Sequence, residues 1–210
     1  MTEPLLENRD YTIIAAKTAP KAFAPPGFSN RWIAAHDAIL ALVTQCEALD
    51  PDGITLYISA QNHPAGSFKQ YKQVTSDKLA ALFEANYPPE NLNLLDGLQT
   101  ALNDYFVRRA AGQTKPNGEI IIVLIDGEPS DRMAIVKTIV NATQKLEHPQ
   151  ELGIGFAQVG DDLITRGFLT SLDEDLRSTA NAKFDIVKTQ ALAEIDSGWL
   201  SEFLLDIIRG

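Results

Sequence analysis

Asp126 is the side chain best placed by the sequence to do chemistry. It follows six apolar residues, Ile120 to Ile125, and precedes Gly127. A run of that kind, bounded by glycine and acid, predicts a strand buried on both faces. In an open α/β sheet, ligands gather at the carboxyl end of such a strand. A carboxylate there has two uses. It can ligate a hard cation, or it can cap the following turn by accepting from backbone N–H groups near Gly127 to Asp131. Glu128, Ser130 and Asp131 read as an acidic first helical turn, favourable to the helix dipole without any further role. Another buried strand, ending at Ala16, is expected to run beside this one. A metal centre would look for an acid at that second strand end, and the sequence has alanine. Thr18, two residues on, offers a hydroxyl.

Nothing else in the chain assembles a reaction centre. His36, His63 and His148 are scattered, with no nucleophile elbow near them, so a Ser–His–Asp enzyme is not expected. Gly153-Ile154-Gly155 falls inside an apolar run rather than in a loop opening a helix, which excludes a phosphate cradle. The lone cysteine, Cys46, sits on an apolar helical stripe and reads as a buried core thiol. No disulfide within the chain and no cysteine-based zinc site can form.

The elements that must position Asp126 follow from periodicity and breakers. Strands are expected at Tyr11–Ala16, Ile54–Ile58, Phe68–Val74 (an edge strand), Ile120–Asp126, Leu152–Val159 and Lys183–Val187. Helices are expected at about Arg31–Leu49, Asp77–Asn86, Leu92–Ala111, Asp131–Leu146, Leu163–Leu176 and Leu192–Ile208. In the first, Trp32, Ile33, Ile39, Leu40, Leu42, Val43 and Cys46 recur at helical spacing. The Pro- and Ala-rich segment Ala19–Asn30 is a loop. Strand–helix alternation gives an α/β fold, a doubly wound, mostly parallel six-stranded sheet with one antiparallel edge strand and helices on both faces. The strands ending at Ala16 and Asp126 would meet at a switch point, with their loops at one rim.

Composition sets the remaining limits. The chain has 210 residues, 45% hydrophobic, which suits one domain over residues 1–210 with a full core. A net charge of −10 and a pI near 4.7 argue against a nucleic-acid backbone or an anionic membrane as partner. The first residues, MTEPLLENRDYT, are acidic and carry no apolar h-region, so no secretory leader is expected. No apolar run approaches the roughly 20 residues of a membrane span. A cytoplasmic protein is expected.

Taken in order, RDYTIIAAKTAP, SNRWIAAHDAILAL, DPDGITLYIS, LNLLDGLQTALNDYF, LIDGEPSDR and LGIGFAQVGDD with AKFDIV resemble a von Willebrand factor A (vWA) domain of the compact intracellular bacterial type, over roughly Tyr11 to Arg209. The resemblance implies a Rossmann-like fold whose rim carries a metal-ion-dependent adhesion site. That site is built from an Asp-x-Ser-x-Ser loop, a Thr and an Asp, with the partner supplying one more carboxylate. Carried over, the first Asp falls on Ala16, the two serines on Thr18 and Pro20, the Thr on Leu92 and the last Asp on Asp126. Thr18 and Asp126 alone cannot build a six-oxygen shell, so the resemblance implies a degenerate site.

The expected function is therefore a non-enzymatic, scaffold-like protein-binding module, with no cofactor and no metal. Its candidate rim comprises Thr18, Phe23, Phe28, His63, Asn91, Asn93, Asp126 and Glu128. The alternative keeps Mg²⁺, held by Asp126, Thr18 and Asn93 with waters and completed by a partner carboxylate. Whether Phe23 and Phe28 are exposed or fold back onto the core stays open, as does pairing with a second copy or with another chain.

Overall fold

Four apolar stretches become the inner strands of one sheet, because a strand paired on both edges and covered on both faces must be apolar throughout. The computed structural model describes residues 4–20, 28–61, 67–91, 93–194 and 200–210. Its strands are β1 (Asp10–Ala16), β2 (Ile54–Ser59), β3 (Phe68–Val74), β4 (Glu119–Ile125), β5 (Leu152–Gln158) and β6 (Val187–Ala191), ordered β3-β2-β1-β4-β5-β6. Only β3 is antiparallel to its neighbour. Every residue of β4 and β5 is buried. The expected α/β sheet, with its antiparallel edge and the β1–β4 switch point, is the sheet observed.

Helices cover both faces. The side chains of Ile13, Leu56, Ile122 and Leu124 meet α1 (Arg31–Ala34), α2 (His36–Leu49), α3 (Leu79–Glu84) and, at the end of the chain, Leu200–Arg209. On the opposite face Ile14, Tyr57, Ile121, Val123 and Phe156 meet α4 (Leu94–Ala110), α5 (Arg132–Gln144), α6 (Leu163–Glu174) and α7 (Leu176–Ala180). The terminal helix, α8, lies against the glycines of β5. A Cβ on Gly153 or Gly155 would collide with Ile207, so Gly-Ile-Gly is a helix-packing device inside a strand. No described helix is long and apolar enough to cross a membrane.

Four elements differ from expectation by more than two residues at an end or by an interruption. The helix from Arg31 is interrupted at Ala35, with Ala35 N–H still bonded to the Arg31 carbonyl. The one expected at Asp77–Asn86 is a 3-10 turn, Ser76–Lys78, followed by α3. The last strand is Val187–Ala191 rather than Lys183–Val187. The Lys183 amide is taken by Thr143 Oγ1, and pairing to β5 begins only at the Ile186 carbonyl. An edge strand paired on one side tolerates the polar VKTQA. Where a helix over Leu192–Ile208 is expected, Leu192–Glu194 is a 3-10 turn and Leu200–Arg209 is α8, and the part between them lies outside the described residues.

Candidate functional site at the carboxyl rim of the sheet

Parallel pairing puts Ala16 beside Ile125, so the chain leaving β1 passes directly over Asp126. Thr18 donates to its carboxylate twice, from its amide to Oδ2 (3.1 Å) and from Oγ1 to Oδ1 (3.0 Å). Trp32, from α1, donates its indole Nε1–H to Oδ2 at 2.7 Å. Arg31 Nη1 donates to the Asp126 backbone carbonyl at 2.6 Å. Asp126 is almost fully buried. Burial pushes its pKa up, opposed by the bonds from Trp32 and Thr18 and by the charge of Arg31. This one carboxylate ties together the end of β4, the loop after β1 and the start of the first helix.

The same loop is pinned on its other side. Ser59 Oγ donates to the Lys17 carbonyl at 2.6 Å, and the Ala19 amide donates to the Pro89 carbonyl at 2.8 Å. Lys17 Nζ sits over the Trp32 ring, 5.9 Å from its centroid.

Asp126 does not cap the turn after β4. Its acceptors go to donors far away in sequence, while Asp131, at the N-cap of α5, makes no side-chain cap bond. Glu128 pairs with Arg132 one turn on, and Arg132 also covers the Phe168 ring at 5.7 Å. Asn93 is exposed and caps α4, its Oδ1 accepting from the Asp96 amide at 3.3 Å. No hydrogen bond joins Asn91 or Asn93 to Asp126 in the described structure, so of the proposed ligand trio only Thr18 and Asp126 meet. Phe28 is half-buried, with the Arg31 guanidinium 4.3 Å above its ring. Phe23, His63 and Leu92 lie outside the described residues. Among the described residues no group of three or more His, Cys, Asp or Glu converges as a metal cage. His36 and His148 are exposed, and Cys46 is buried, its thiol pushed up by desolvation.

The structure adds a feature that periodicity misassigned. Ile33, counted with the core stripe, is 74% exposed, because its neighbour Trp32 takes the inward direction. Six large apolar side chains are exposed among the described residues: Ile33, Tyr87, Val107, Met133, Leu163 and Ile164. All but Val107 lie on segments at the carboxyl rim. Ile33 is in α1, Met133 opens α5, and Leu163 and Ile164 open α6. Tyr87 is placed there by its carbonyl, which accepts from the Gln61 amide just past β2.

Two apolar grooves flank α1. One, of about 260 Å³, is lined by Lys17, Trp32, Ile33, Ile39, Leu79 and Phe83. The other, of about 280 Å³, is lined by Arg31, Ala34, Ala35, Ala38, Gly160 and Leu192.

No family model matches the sequence, and no curated protein matches it by sequence. Solved structures do match by shape. Crystal form 2 of proximal thread matrix protein 1, from the mussel byssus, is similar over 96% of this chain and 47% of its own, at 13% identity and a TM-score of 0.50. Manganese-loaded TRAP protein of Plasmodium vivax, a vWA-domain protein, is similar over 96% of this chain and 74% of its own, at 8% identity and a TM-score of 0.51. This fold is vWA-like. The chain spans about half the length of the mussel protein. At such identities the likeness carries the fold alone.

Proposed function

We propose that this vWA-like domain is a non-enzymatic module that binds a protein partner through its carboxyl rim, without a metal. The observation carrying the reading is the placement of exposed apolar side chains. Single ones are ordinary on any surface, but Ile33, Tyr87, Met133, Leu163 and Ile164 fall on segments at one end of the sheet, and Ile33 also lines one of the two apolar grooves there. Apolar surface gathered in this way marks an interaction site.

The donor set at Asp126 supports the metal-free part. A hard divalent cation needs about six oxygens at the rim. Thr18 and Asp126 bring one hydroxyl and one carboxylate, and that carboxylate already accepts three hydrogen bonds from protein donors. The indole N–H of Trp32 occupies Oδ2 from the side of the first helix, so an ion would have to displace it. The residues present do not fit Mg²⁺.

The test is capture of a partner by the immobilised full chain, in EDTA and in Mg²⁺, with calorimetric titration of Mg²⁺ and Mn²⁺ in parallel. Equal capture in both buffers and no heat at millimolar metal are expected. A partner released by EDTA and restored by Mg²⁺ overturns the metal-free reading. Loss of capture on changing residues at the opposite end of the sheet overturns the rim assignment.

A further inference from the structure

We propose that the rim receives a basic amphipathic helix of a partner protein, its apolar side chains seated in the two grooves beside α1 and its Lys or Arg side chains meeting the surrounding carboxylates. This rests on the rim being the partner surface and adds the partner's chemistry.

The shape argument starts from the grooves. At about 260 and 280 Å³ each falls short of the roughly 300–1,000 Å³ of small-molecule sites, and suits protruding side chains instead. The two lie on either side of one helix, with Ile33 exposed on it. A helix is about 10 Å across, and residues seven apart on a partner helix are also about 10 Å apart along its axis. Apolar residues one heptad apart therefore reach both grooves, in the helix-in-groove mode of recognition.

The charge argument comes from how the rim's ions are paired. Among the described residues, four of its cations are already engaged within the chain, while Lys78, which precedes Leu79 of the first groove, is exposed and forms no ion pair with a described residue. Lys17 lies over Trp32, Arg31 bonds the Asp126 carbonyl and covers Phe28, Arg132 pairs with Glu128, and Arg166 stands 4.0 Å from Glu194. Asp37, Glu84, Glu90, Asp131 and Asp161 are exposed and form no ion pair with any described residue. Glu84 lines the first groove itself, and Asp161 follows Gly160 of the second. An apolar floor with unpaired carboxylates at its margin attracts a cationic amphipath and repels an anionic one.

The experiment titrates the full chain into fluorescently labelled helical peptides of about 18 residues, five turns. Both peptides carry leucine on one face. One has lysine and arginine on the other face, and its twin has glutamate there. The basic peptide is expected to bind and the glutamate twin not. Ile33→Ser should weaken binding at least about tenfold. Glu84→Lys with Asp161→Lys should weaken it severalfold, as should added salt. Val107→Ser, at the far end, should change nothing. Circular dichroism confirms that each variant is folded.

Failure of the basic peptide to bind, or equal binding of its twin, overturns the proposal. If the glutamate peptide binds and Ile33→Ser abolishes that binding, only the partner's charge is refuted and the rim stands. If binding is lost with Val107→Ser and kept with Ile33→Ser, the rim assignment itself falls.

Discussion

The two ends of the sheet use charge in opposite ways. At the amino end, cations sit inside networks of acids. Arg108 bonds Asp104 at 2.7 Å, Asp10 at 2.8 Å and the buried Glu119. Lys115 pairs with Asp50 and Asp52. Arg9, buried, donates to the Leu5 and Gln150 carbonyls, and burial lowers its pKa to about 10. At the carboxyl rim one buried carboxylate is tied by neutral donors, apolar side chains face outward, and several acids form no ion pair with any described residue. A census of titratable groups would choose the amino end as the reactive one. The pairing shows instead that its charges hold together the starts of β1 and β4, the α2–β2 turn and the end of α4. Density of ionisable groups marks where this fold is locked. The rim is where large apolar side chains are left uncovered.

The largest effect should come from unlocking the amino end. Arg108→Met leaves Glu119 buried without its cation, and one Glu119 oxygen, Oε1, has no hydrogen-bond partner already. Breaking a buried pair from one side costs about 3–5 kcal/mol. Urea denaturation of wild type and variant reads this directly. A loss below about 1 kcal/mol would show that the network is ornamental and that the contrast between the two ends is false.

The rim counterpart is Asp126→Ala. It leaves the Trp32 indole N–H and the Thr18 amide without their acceptor, which costs about 2–3 kcal/mol. Asp126→Asn, which keeps an acceptor oxygen, should cost about half as much. Were Asp126 held for an ion instead of for Trp32 and Thr18, removing its charge would stabilise the free protein, the reverse of the expected sign.

These two sites were unequally legible from sequence. Ile120–Ile125 announces its strand because burial on both faces forces an unbroken apolar run, and the adjacency of Ala16 and Asp126 follows from topology. The partners of Asp126 do not follow. Local reading gives it the amides of Gly127 to Asp131, whereas its actual donors stand 94 and 108 residues away. The polar VKTQA strand was hidden for a related reason, since its pairing is decided by β5 and not by its own pattern. Ile33 was readable in principle. Adjacent helix positions point about 100° apart, so Ile33 and Trp32 cannot both occupy a narrow stripe. Arg108 gave no signal of its three partners, which lie on α4, β1 and β4.

A smaller effect separates the ends by pH. Burial raises the Asp50 pKa from an ordinary 3.8 to about 6, whereas hydrogen bonds from Asp50 and Lys115 hold Asp52 down at about 2. Between pH 4 and 6 the folded state keeps a proton on Asp50 that the unfolded state has lost, so stability falls as pH rises through that window, by up to about 2 kcal/mol. The depressed Asp52 acts the other way, its contribution being lost as pH falls from 3.8 toward 2. Together they place a local maximum near pH 4. Thermal melts of Asp50→Asn should lose the decline between pH 4 and 6. If the variant keeps the same slope, the pH response originates elsewhere, with the raised Asp126 of the rim as the next group to replace.

The smallest expected effect is also the sharpest statement about the rim. Ile33→Ser and Met133→Ser remove large apolar side chains that the free protein leaves in water. No buried contact is lost and no cavity opens, so unfolding free energies should stay within about 0.5 kcal/mol of wild type. Solubility should rise, because apolar surface leaves the patch. Trp32→Phe gives the inward-facing comparison one residue away. The ring stays in the groove, while the bond from its indole nitrogen to Asp126 goes, at a cost of about 1.5–3 kcal/mol for a donor to a charged group. Neighbouring residues on one short helix would then differ severalfold in their stability cost. That gap is the measure of how sharply this helix divides a structural face, anchored on Asp126, from a face left open. If Ile33→Ser proves as costly as Trp32→Phe, Ile33 is packed in solution and the exposed rim is smaller than the structure draws it.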